Sequence, residues 1–341
     1  MNETENSLVP SYCCIALLES CFLRCKMCFK WKNDVTCRLP EEPSLRQWEV
    51  FLQGLAELCD RKFQLNFAGG EPLARPEILP LIRCAGRAGF DTLLATNAYL
   101  IDEQKAGQLG ETGLNNITIS LDSANSATHD FLRGKDGSFQ RVMAAIANLN
   151  TYAKNTKISL CAVISAVNLN EIIDLVKWAQ ADGRINGIAF QAVTQPFSTA
   201  EDLRWYEKEE FSFLWPQNIL RVDAVMSELI RLKGYGVLRE GFQIYNPAYQ
   251  FEVFRRYFRD PEKFVKTGNC HLDYRAINVT PAGDVHICFN KPAIGNIKDM
   301  DIRTMWFSEK AGRVRREIQT CRKNCQALVN CNFDEGADYV A

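Results

Sequence analysis

Along residues 12–193, short apolar runs alternate with amphipathic segments. The runs fall at 12–19 (YCCIALLE), 63–68 (FQLNFA), 91–96 (DTLLAT), 116–121 (NITISL), 158–164 (ISLCAVI) and 187–193 (GIAFQAV). Between them, apolar residues recur at helical spacing over about 44–60, 76–88, 102–109, 138–153 and 169–182. One strand followed by one helix, repeated, predicts a parallel sheet, because parallel neighbours need a crossover long enough to hold a helix. The runs are apolar at nearly every position, as strands are when helices cover one face and a core fills the other. Six units are too few to close an eight-stranded barrel. The expected fold class is therefore α/β, an open, partial (β/α)6 TIM-like barrel.

After residue 196 the pattern changes. Residues 197–266 are rich in aromatic and charged side chains, with helical periodicity near 217–233 and 247–258, and read as a helical connecting segment. Residues 274–288 read as a β-hairpin turning at Thr280-Pro281-Ala282-Gly283-Asp284. A last helix is expected near 301–319. The chain thus divides into 12–196, 197–266 and a small hairpin-and-helix domain over 267–341.

Charge narrows the function classes. Lys+Arg is 40 and Asp+Glu is 41, a net charge of −1, so nothing points to a nucleic-acid or membrane surface. The N-terminal MNETENSLVPSYCC lacks the basic start and apolar stretch of a signal peptide. The apolar run at 13–18 is far shorter than the roughly 20 residues of a membrane span. A cytoplasmic location is expected, where thiols stay reduced. The 14 cysteines then point to metal or cluster ligation wherever they group.

Two groups stand out, Cys21, Cys25 and Cys28, and far downstream Cys270, Cys288, Cys321, Cys325 and Cys331. Cys13, Cys14, Cys59, Cys84 and Cys161 lie in strand or helix patterns and read as core thiols, while Cys37 sits in a loop without an assignable role. Cys21-x3-Cys25-x2-Cys28 follows the first strand, and parallel sheets carry their working groups at the carboxyl ends of strands. Three thiolates are the informative number. A structural zinc site takes four ligands, and so does a fully ligated iron–sulfur cube. Three cysteines leave one iron of a [4Fe–4S] cluster open, whereas a zinc knuckle would need Cys37 as well.

The segment CFLRCKMC, placed directly after a first strand, resembles the signature of the radical S-adenosylmethionine (SAM) superfamily. The resemblance implies a partial (β/α)6 barrel. It also implies a SAM-binding [4Fe–4S] cluster on Cys21, Cys25 and Cys28, with SAM chelated to the open iron. In that family, reductive cleavage of SAM yields a 5′-deoxyadenosyl radical that abstracts hydrogen from substrate. Met27 matches a position whose backbone lies near the adenine.

Further positions follow from the same resemblance. Gly69-Gly70-Glu71-Pro72 after the second strand resembles the site for the SAM amino group, and paired glycines let a backbone approach a ligand closely. Thr96-Asn97-Ala98 ends the third strand, with Ala98 where relatives carry Gly; Asn97 reads either as a ligand-facing residue or as a turn Asn. Ser120-Leu121-Asp122, with His129-Asp130 and Arg133-Gly134, resembles the SLDG…HD…RG stretch of members carrying extra clusters. Ser120 and Arg133 are candidates for the SAM carboxylate, and Asp122 for SAM or for a helix cap. His129 reads as structural. Gln191, polar in an apolar run, is expected to face the lumen. No side chain is assigned the abstraction step itself.

The downstream cysteines, with Gly283-x4-Cys288, resemble the SPASM region or its shorter relative, the twitch domain. Five cysteines suffice for one auxiliary [4Fe–4S] cluster and not for two all-cysteine clusters. Cys270, Cys288 and two of Cys321, Cys325 and Cys331 are the expected ligands, with Cys321 and Cys325 preferred; a four-cysteine zinc site is the alternative. The nearby Arg313, Arg315, Arg316, Arg322 and Lys323 read as a solvated helix face. Taken together, these features predict a radical SAM oxidoreductase acting on a small-molecule or peptide substrate. A flavodoxin- or ferredoxin-type electron donor would serve it, and the auxiliary cluster is a candidate electron acceptor. The first strand begins near residue 12, which speaks against a leader-binding domain ahead of it; a peptide (RiPP) maturase would then need a separate leader-binding partner. A non-catalytic iron–sulfur or zinc electron-transfer protein is the rival.

Overall fold

A computed structural model of the chain describes residues 9–32, 42–59, 63–234, 236–263, 270–325 and 329–331. Cys37 lies outside these residues. Strands β1 (Tyr12–Ala16), β2 (Gln64–Ala68), β3 (Asp91–Thr96), β4 (Asn116–Ser120), β5 (Lys157–Ile164) and β6 (Ile185–Ala192) lie side by side in chain order, all parallel. The crossovers carry α1 (Leu45–Leu58), α2 (Ile78–Arg87), α3 (Glu103–Thr112), α4 (Ser126–Arg133), α5 (Ser138–Tyr152) and α6 (Ile172–Ala181).

Local sequence explains the helices. Ser44 and Gln47 form a reciprocal capping box on α1, whose buried Trp48, Phe51, Leu52, Leu55 and Leu58 repeat at helical spacing. The short α4 is absent from the periodicity reading because eight residues carry too little pattern. Asn125 caps it by accepting from Ala127 N, and Gly134 ends it at φ +63°. The predicted last helix is two, because Ser308 interrupts it with an extended backbone and caps the second piece through Ala311 N at 3.0 Å.

Strand alternation sorts the sheet into two faces. Cys13, Ile15, Leu65, Phe67, Leu94, Ile117, Ile119, Leu160 and Ala162 are fully buried beneath the helices. Their neighbours Cys14, Asn66, Thr118, Ser120, Cys161 and Val163 are half-buried on the inner face. Cys14 and Cys161, expected in the core, therefore line the inner face; only Cys13 is a core thiol among the three. The register places Ser120 beside Cys161 and Cys161 beside Ala189, and Val163 beside the exposed Gln191.

Both edges of the six-strand unit are covered, which removes the pairing hazard of an open edge. On the β6 side, residues Gln243–Ile244 (β7) pair with Gly187 and Ile188. Beyond them, two asparagine amides act as surrogate strand. Asn246 bonds Phe190 N and O at 2.6 and 2.8 Å, and Asn330 bonds Ala192 N and O at 2.8 and 3.0 Å. The connecting segment thus closes an edge, and it holds its own aromatic core of Trp205, Phe211, Trp215, Tyr257 and Phe258 beside helices α7 (Ile219–Gly234) and α8 (Ala248–Arg259). On the other side, after a single helical turn α9 (Leu272–Arg275), β8 (Ala276–Val279) pairs parallel to β1. Strand β9 (Asp284–His286) then pairs antiparallel to β8, and β10 (Gly295–Asn296) antiparallel to β9, so the C-terminal hairpin extends the same sheet to ten strands. The two pieces of the last helix are α10 (Ile302–Trp306) and α11 (Glu309–Gln319). Among the described residues, no helix is long and apolar enough to cross a membrane.

Candidate functional site

The loop from Leu18 to Phe29, which carries the three clustered cysteines, is gripped from both sides. On one side lies the Gly-Gly turn after β2. Gly70 N donates to Leu18 O at 2.7 Å and Glu71 N to Ser20 O at 3.3 Å. A Cβ on Gly70 would sit 1.6 Å from Ser20 O, and one on Gly69, at φ +130°, 2.6 Å from Leu18 O. Two glycines are needed here because two backbones touch. On the other side, Lys26 N donates to Leu132 O at 2.9 Å, and a Cβ on Gly134 would lie 2.1 Å from Arg24 O. From beneath, buried Arg75 donates to Leu17 O at 2.9 Å and pairs with Glu42 at 3.1 Å and Glu77 at 3.4 Å.

The grip holds the three thiols in one another's field. Burial pushes Cys25 up to about 12, with Cys21 and Cys28 adding to the rise and the Arg133 guanidinium opposing it. Cys21 is raised by burial, then by Glu71 and Cys28, against the Leu23 amide and Arg133. Cys21 and Cys25, whose ionisation burial opposes, become thiolates more readily beside a strong cation, which is the donor chemistry of a metal or cluster site. Asn97 Nδ2 lies 3.8 Å from Cys21 Sγ, a further donor to a thiolate. Among the described residues, no three titratable ligands already stand at ion-coordinating spacing.

The flanking side chains are committed more locally than the sequence reading expects. Glu71 is buried; its Oε1 accepts from Leu73 N at 3.1 Å and Thr96 Oγ1 at 2.7 Å, and its Oε2 from Asn97 N at 2.9 Å. Burial lifts its pKa to about 7 against these three donors. Glu71 thus ties the ends of β2 and β3 together. Pro72 opens a buried 3-10 turn that ends at Ala74. Asn97 folds its Oδ1 onto Tyr99 N at 2.9 Å, and Ala98 takes the left-handed φ of +61° that glycine would adopt freely. Asp122 is fully buried and paired with Arg133, Nε–Oδ2 2.7 Å and Nη2–Oδ1 3.0 Å; it also accepts from Val163 N at 3.0 Å. It caps no helix. Asp122 N donates to His129 Nδ1 at 3.2 Å, which fixes that imidazole as neutral, its pKa lowered by burial to about 4. Ser120 and Gln191 remain on the inner face without such commitments, and Met27 is buried behind the loop.

Sequence reasoning does not find Arg75, Asn168, Asn246 or Asn330. Asn168 bridges Asp122 O, at 2.8 Å, and Val163 O, at 2.9 Å. A lone polar residue in a loop gives no signal of this role.

Of the C-terminal cysteines, Cys288 is raised by burial and then by Cys325 and Cys321. Asn290 Nδ2 donates to Cys325 Sγ at 3.6 Å, and the Lys323 ammonium lies in the field of Cys325 and Cys288. Cys270 is half-buried. Cys331 also stands in the field of Tyr12 on β1. Of the basic run, Arg315 is not solvated: its guanidinium lies 4.4 Å from the Trp306 ring and donates to Asp273 O at 3.0 Å.

Residues 15–179 match the family model described as the radical SAM superfamily, and residues 270–332 match the SPASM iron–sulfur cluster-binding domain. The chain belongs to the radical SAM superfamily. It is similar to an AdoMet-dependent heme synthase of Methanosarcina barkeri, 25% identical over 311 residues, which covers 86% of this chain and 83% of the relative. It is also similar to a PqqA peptide cyclase of Gluconobacter oxydans, 27% identical over 296 residues, covering 85% of this chain and 74% of the relative. Among solved structures, Streptococcus suis SuiB bound to its precursor peptide SuiA superposes with a TM-score of 0.67 at 16% identity, over 96% of this chain and 72% of that one. The enzyme anSMEcpe with bound AdoMet superposes at 0.66 and 17% identity, over 94% and 88%. These superpositions establish the partial barrel with its C-terminal extension. As a radical SAM enzyme with a SPASM domain, the protein uses SAM, a [4Fe–4S] cluster and auxiliary iron–sulfur chemistry.

Proposed function

We propose that Cys21, Cys25 and Cys28 hold the SAM-cleaving cluster and that the enzyme oxidises a substrate bound against the inner face of the sheet. The observation that carries this reading is the double grip on the cysteine loop. A loop fixed by backbone contacts to Gly70 and to Leu132–Gly134 presents its thiols with little reorganisation. When bound, SAM and the cluster supply a 5′-deoxyadenosyl radical that removes hydrogen from the substrate. The chain's own residues bind and orient. The turn at Gly69–Gly70 offers carbonyls to the SAM ammonium, since the Glu71 carboxylate is engaged elsewhere. Arg133, which Asp122 holds, and Ser120 on the inner face are the residues proposed to bind the carboxylate. Met27 and Asn97 flank the cysteines, and Gln191 lies farther along the inner face.

Cys288, Cys321 and Cys325, with Cys270, are proposed to hold one auxiliary cluster that accepts the second electron. The field that Cys321 and Cys325 exert on Cys288 supports grouping these three. A peptide substrate is the preferred class, because relatives matched over most of the chain include a peptide cyclase and the fold neighbours include a precursor-peptide complex. The deciding experiment is iron and sulfide per chain after anaerobic reconstitution, with SAM cleavage by dithionite on the same sample. About eight irons with 5′-deoxyadenosine formed supports two four-iron cubes. Four irons plus one zinc moves the C-terminal cysteines to a structural site. A full cluster complement without cleavage rejects the catalytic reading in favour of electron transfer.

A further inference from the structure

Helix α11 turns a stripe of Ala311, Val314, Arg315 and Ile318 inward. Arg315 is a cation at a position that packing would give to an apolar residue, and it is only 7% exposed. Burying a guanidinium costs free energy unless its donors are met. Here they are met in part. The guanidinium lies 4.4 Å from the Trp306 ring, and its Nε donates to Asp273 O at 3.0 Å. The Asp273 carboxylate lies in its field but accepts from Gln319 Nε2, at 2.8 Å. Arg315 Nη2 is buried with no hydrogen-bond partner among the described residues. A charge kept at this cost needs a reason beyond packing.

The segments that α11 touches supply one. Asp273 belongs to α9, the single turn that begins two residues after Cys270. Arg315 holds the backbone of that turn and Gln319, one helical turn on, holds its side chain. Glu317 pairs with Lys291 at 3.1 Å, and Lys291 N donates to Cys288 O at 3.0 Å. The helix ends at Gln319, and Cys321 N donates back to Ile318 O at 3.1 Å. One helix thus reaches the segments of Cys270, Cys288 and Cys321, the first and last 51 residues apart in sequence. Glu317 is 52% exposed, so its pair with Lys291 contributes little. The buried contact between Arg315 and Asp273 carries the arrangement.

We propose that Arg315 is a positioning residue of the auxiliary metal site: through the Asp273 carbonyl it fixes the turn after Cys270 against α11, so that Cys270 and Cys321 are presented to one centre. The inference rests on the auxiliary cysteines assigned above. Holding the turn before the metal arrives lowers the ordering that binding would otherwise require. A buried cation with an unused donor also suits a site whose occupant is anionic, as a cysteine-ligated iron–sulfur cube is.

The test uses the full chain after anaerobic reconstitution. Arg315→Met keeps much of the stem and removes the donor and the charge, whereas Arg315→Lys keeps both. Val314→Ala weakens the same buried stripe without touching Asp273, and Cys270→Ala shows what loss of this ligand looks like. The readouts are iron per chain, iron release to EDTA, and electron paramagnetic resonance of oxidised and dithionite-reduced samples. Arg315→Met is expected to release auxiliary iron about ten-fold faster than wild type, the scale of effect seen when a group that orients a metal ligand is removed. When oxidised it should show the three-iron signal of a cube that has lost one ligand, as Cys270→Ala does, while the signal of the SAM-site cluster keeps its wild-type intensity. Arg315→Lys should restore most of the retention. Urea unfolding places Arg315→Met and Val314→Ala on one stability scale, and Val314→Ala should keep its auxiliary iron even at equal loss of stability. Unchanged iron release from Arg315→Met overturns the proposal. So does an equal release from Val314→Ala, which would mean that Arg315 acts only through the stability of the domain. Four irons plus one zinc in wild type overturns the auxiliary cluster assigned above and not the positioning; zinc release to EDTA then takes the place of iron release, with the same expectation and the same refuting outcomes.

Discussion

The contact between the two loops makes a sharp prediction for Gly70→Ala. The new methyl carbon would stand 1.6 Å from Ser20 O, a backbone atom that no rotamer change can move away. One of the loops must shift. The shift breaks the bonds from Gly70 N to Leu18 O and from Glu71 N to Ser20 O, each contributing about 1 kcal/mol. Forcing the backbones apart adds about 1–3 kcal/mol. The expected loss is therefore about 3–5 kcal/mol, and in a chain of this size the melting temperature should drop by about 10 °C. Gly86→Ala is the matched control. Gly86 is exposed within α2, with nothing within 4 Å of the added carbon, so there alanine should stabilise by about 1 kcal/mol through helix propensity. The same chemical change thus carries opposite signs at two positions. Urea unfolding followed by far-ultraviolet circular dichroism measures both. Because the displaced Ser20 adjoins Cys21, iron bound per chain should fall in Gly70→Ala and stay constant in Gly86→Ala. A Gly70→Ala protein within 1 kcal/mol of wild type, with full iron, would refute the close approach and with it the grip on the cysteine loop.

Three further outcomes follow from the same structure. Asp122→Ala leaves the Arg133 guanidinium buried without its counter-charge and should cost about 3–5 kcal/mol in urea unfolding, whereas Asp122→Asn, which keeps an acceptor for Val163 N, should cost less. Arg75→Ala strips a buried donor from Leu17 O and its pairs with Glu42 and Glu77; a loss of about 3 kcal/mol is expected, together with lower iron retention after gel filtration. His129 protonates near 6.5 when unfolded but only at about 4 in the fold, so the unfolded state binds the proton first as pH falls. Its contribution is full above pH 6.5 and should shrink by about 2 kcal/mol between pH 7 and pH 5; His129→Asn, which keeps an acceptor for Asp122 N, should remove that part of the pH dependence.

What the sequence discloses and what it withholds divide along a physical line. The six strands and their crossovers are legible because apolar periodicity is a local property, and the cysteine spacing is legible because three ligands to one centre must lie close along the chain. The Gly-Gly turn is legible as a motif, but its cause is not: Gly69 and Gly70 are glycines because a loop fifty residues earlier in the chain presses on them. The same limit hides the work of Glu71. A carboxylate after a strand reads as a ligand for a positive ammonium; that it also accepts from Thr96, Asn97 and Leu73 is visible only when β2 and β3 are side by side. Cys14 and Cys161 show the limit in its simplest form. In an apolar run, strand alternation decides which face a thiol takes, and a run that is apolar on both faces does not announce its phase. The edges go further still. Asn246 and Asn330 stand 84 residues apart in sequence and perform one task, completing the hydrogen bonds of β6 where no seventh strand of the repeat arrives. That closure is why a six-strand unit can stop without exposing a strand, and it gives the connecting segment a structural role that composition does not show. Beyond β6 the sheet is finished by the two residues of β7 at Gly187 and Ile188 and by side chains from two distant segments at Phe190 and Ala192.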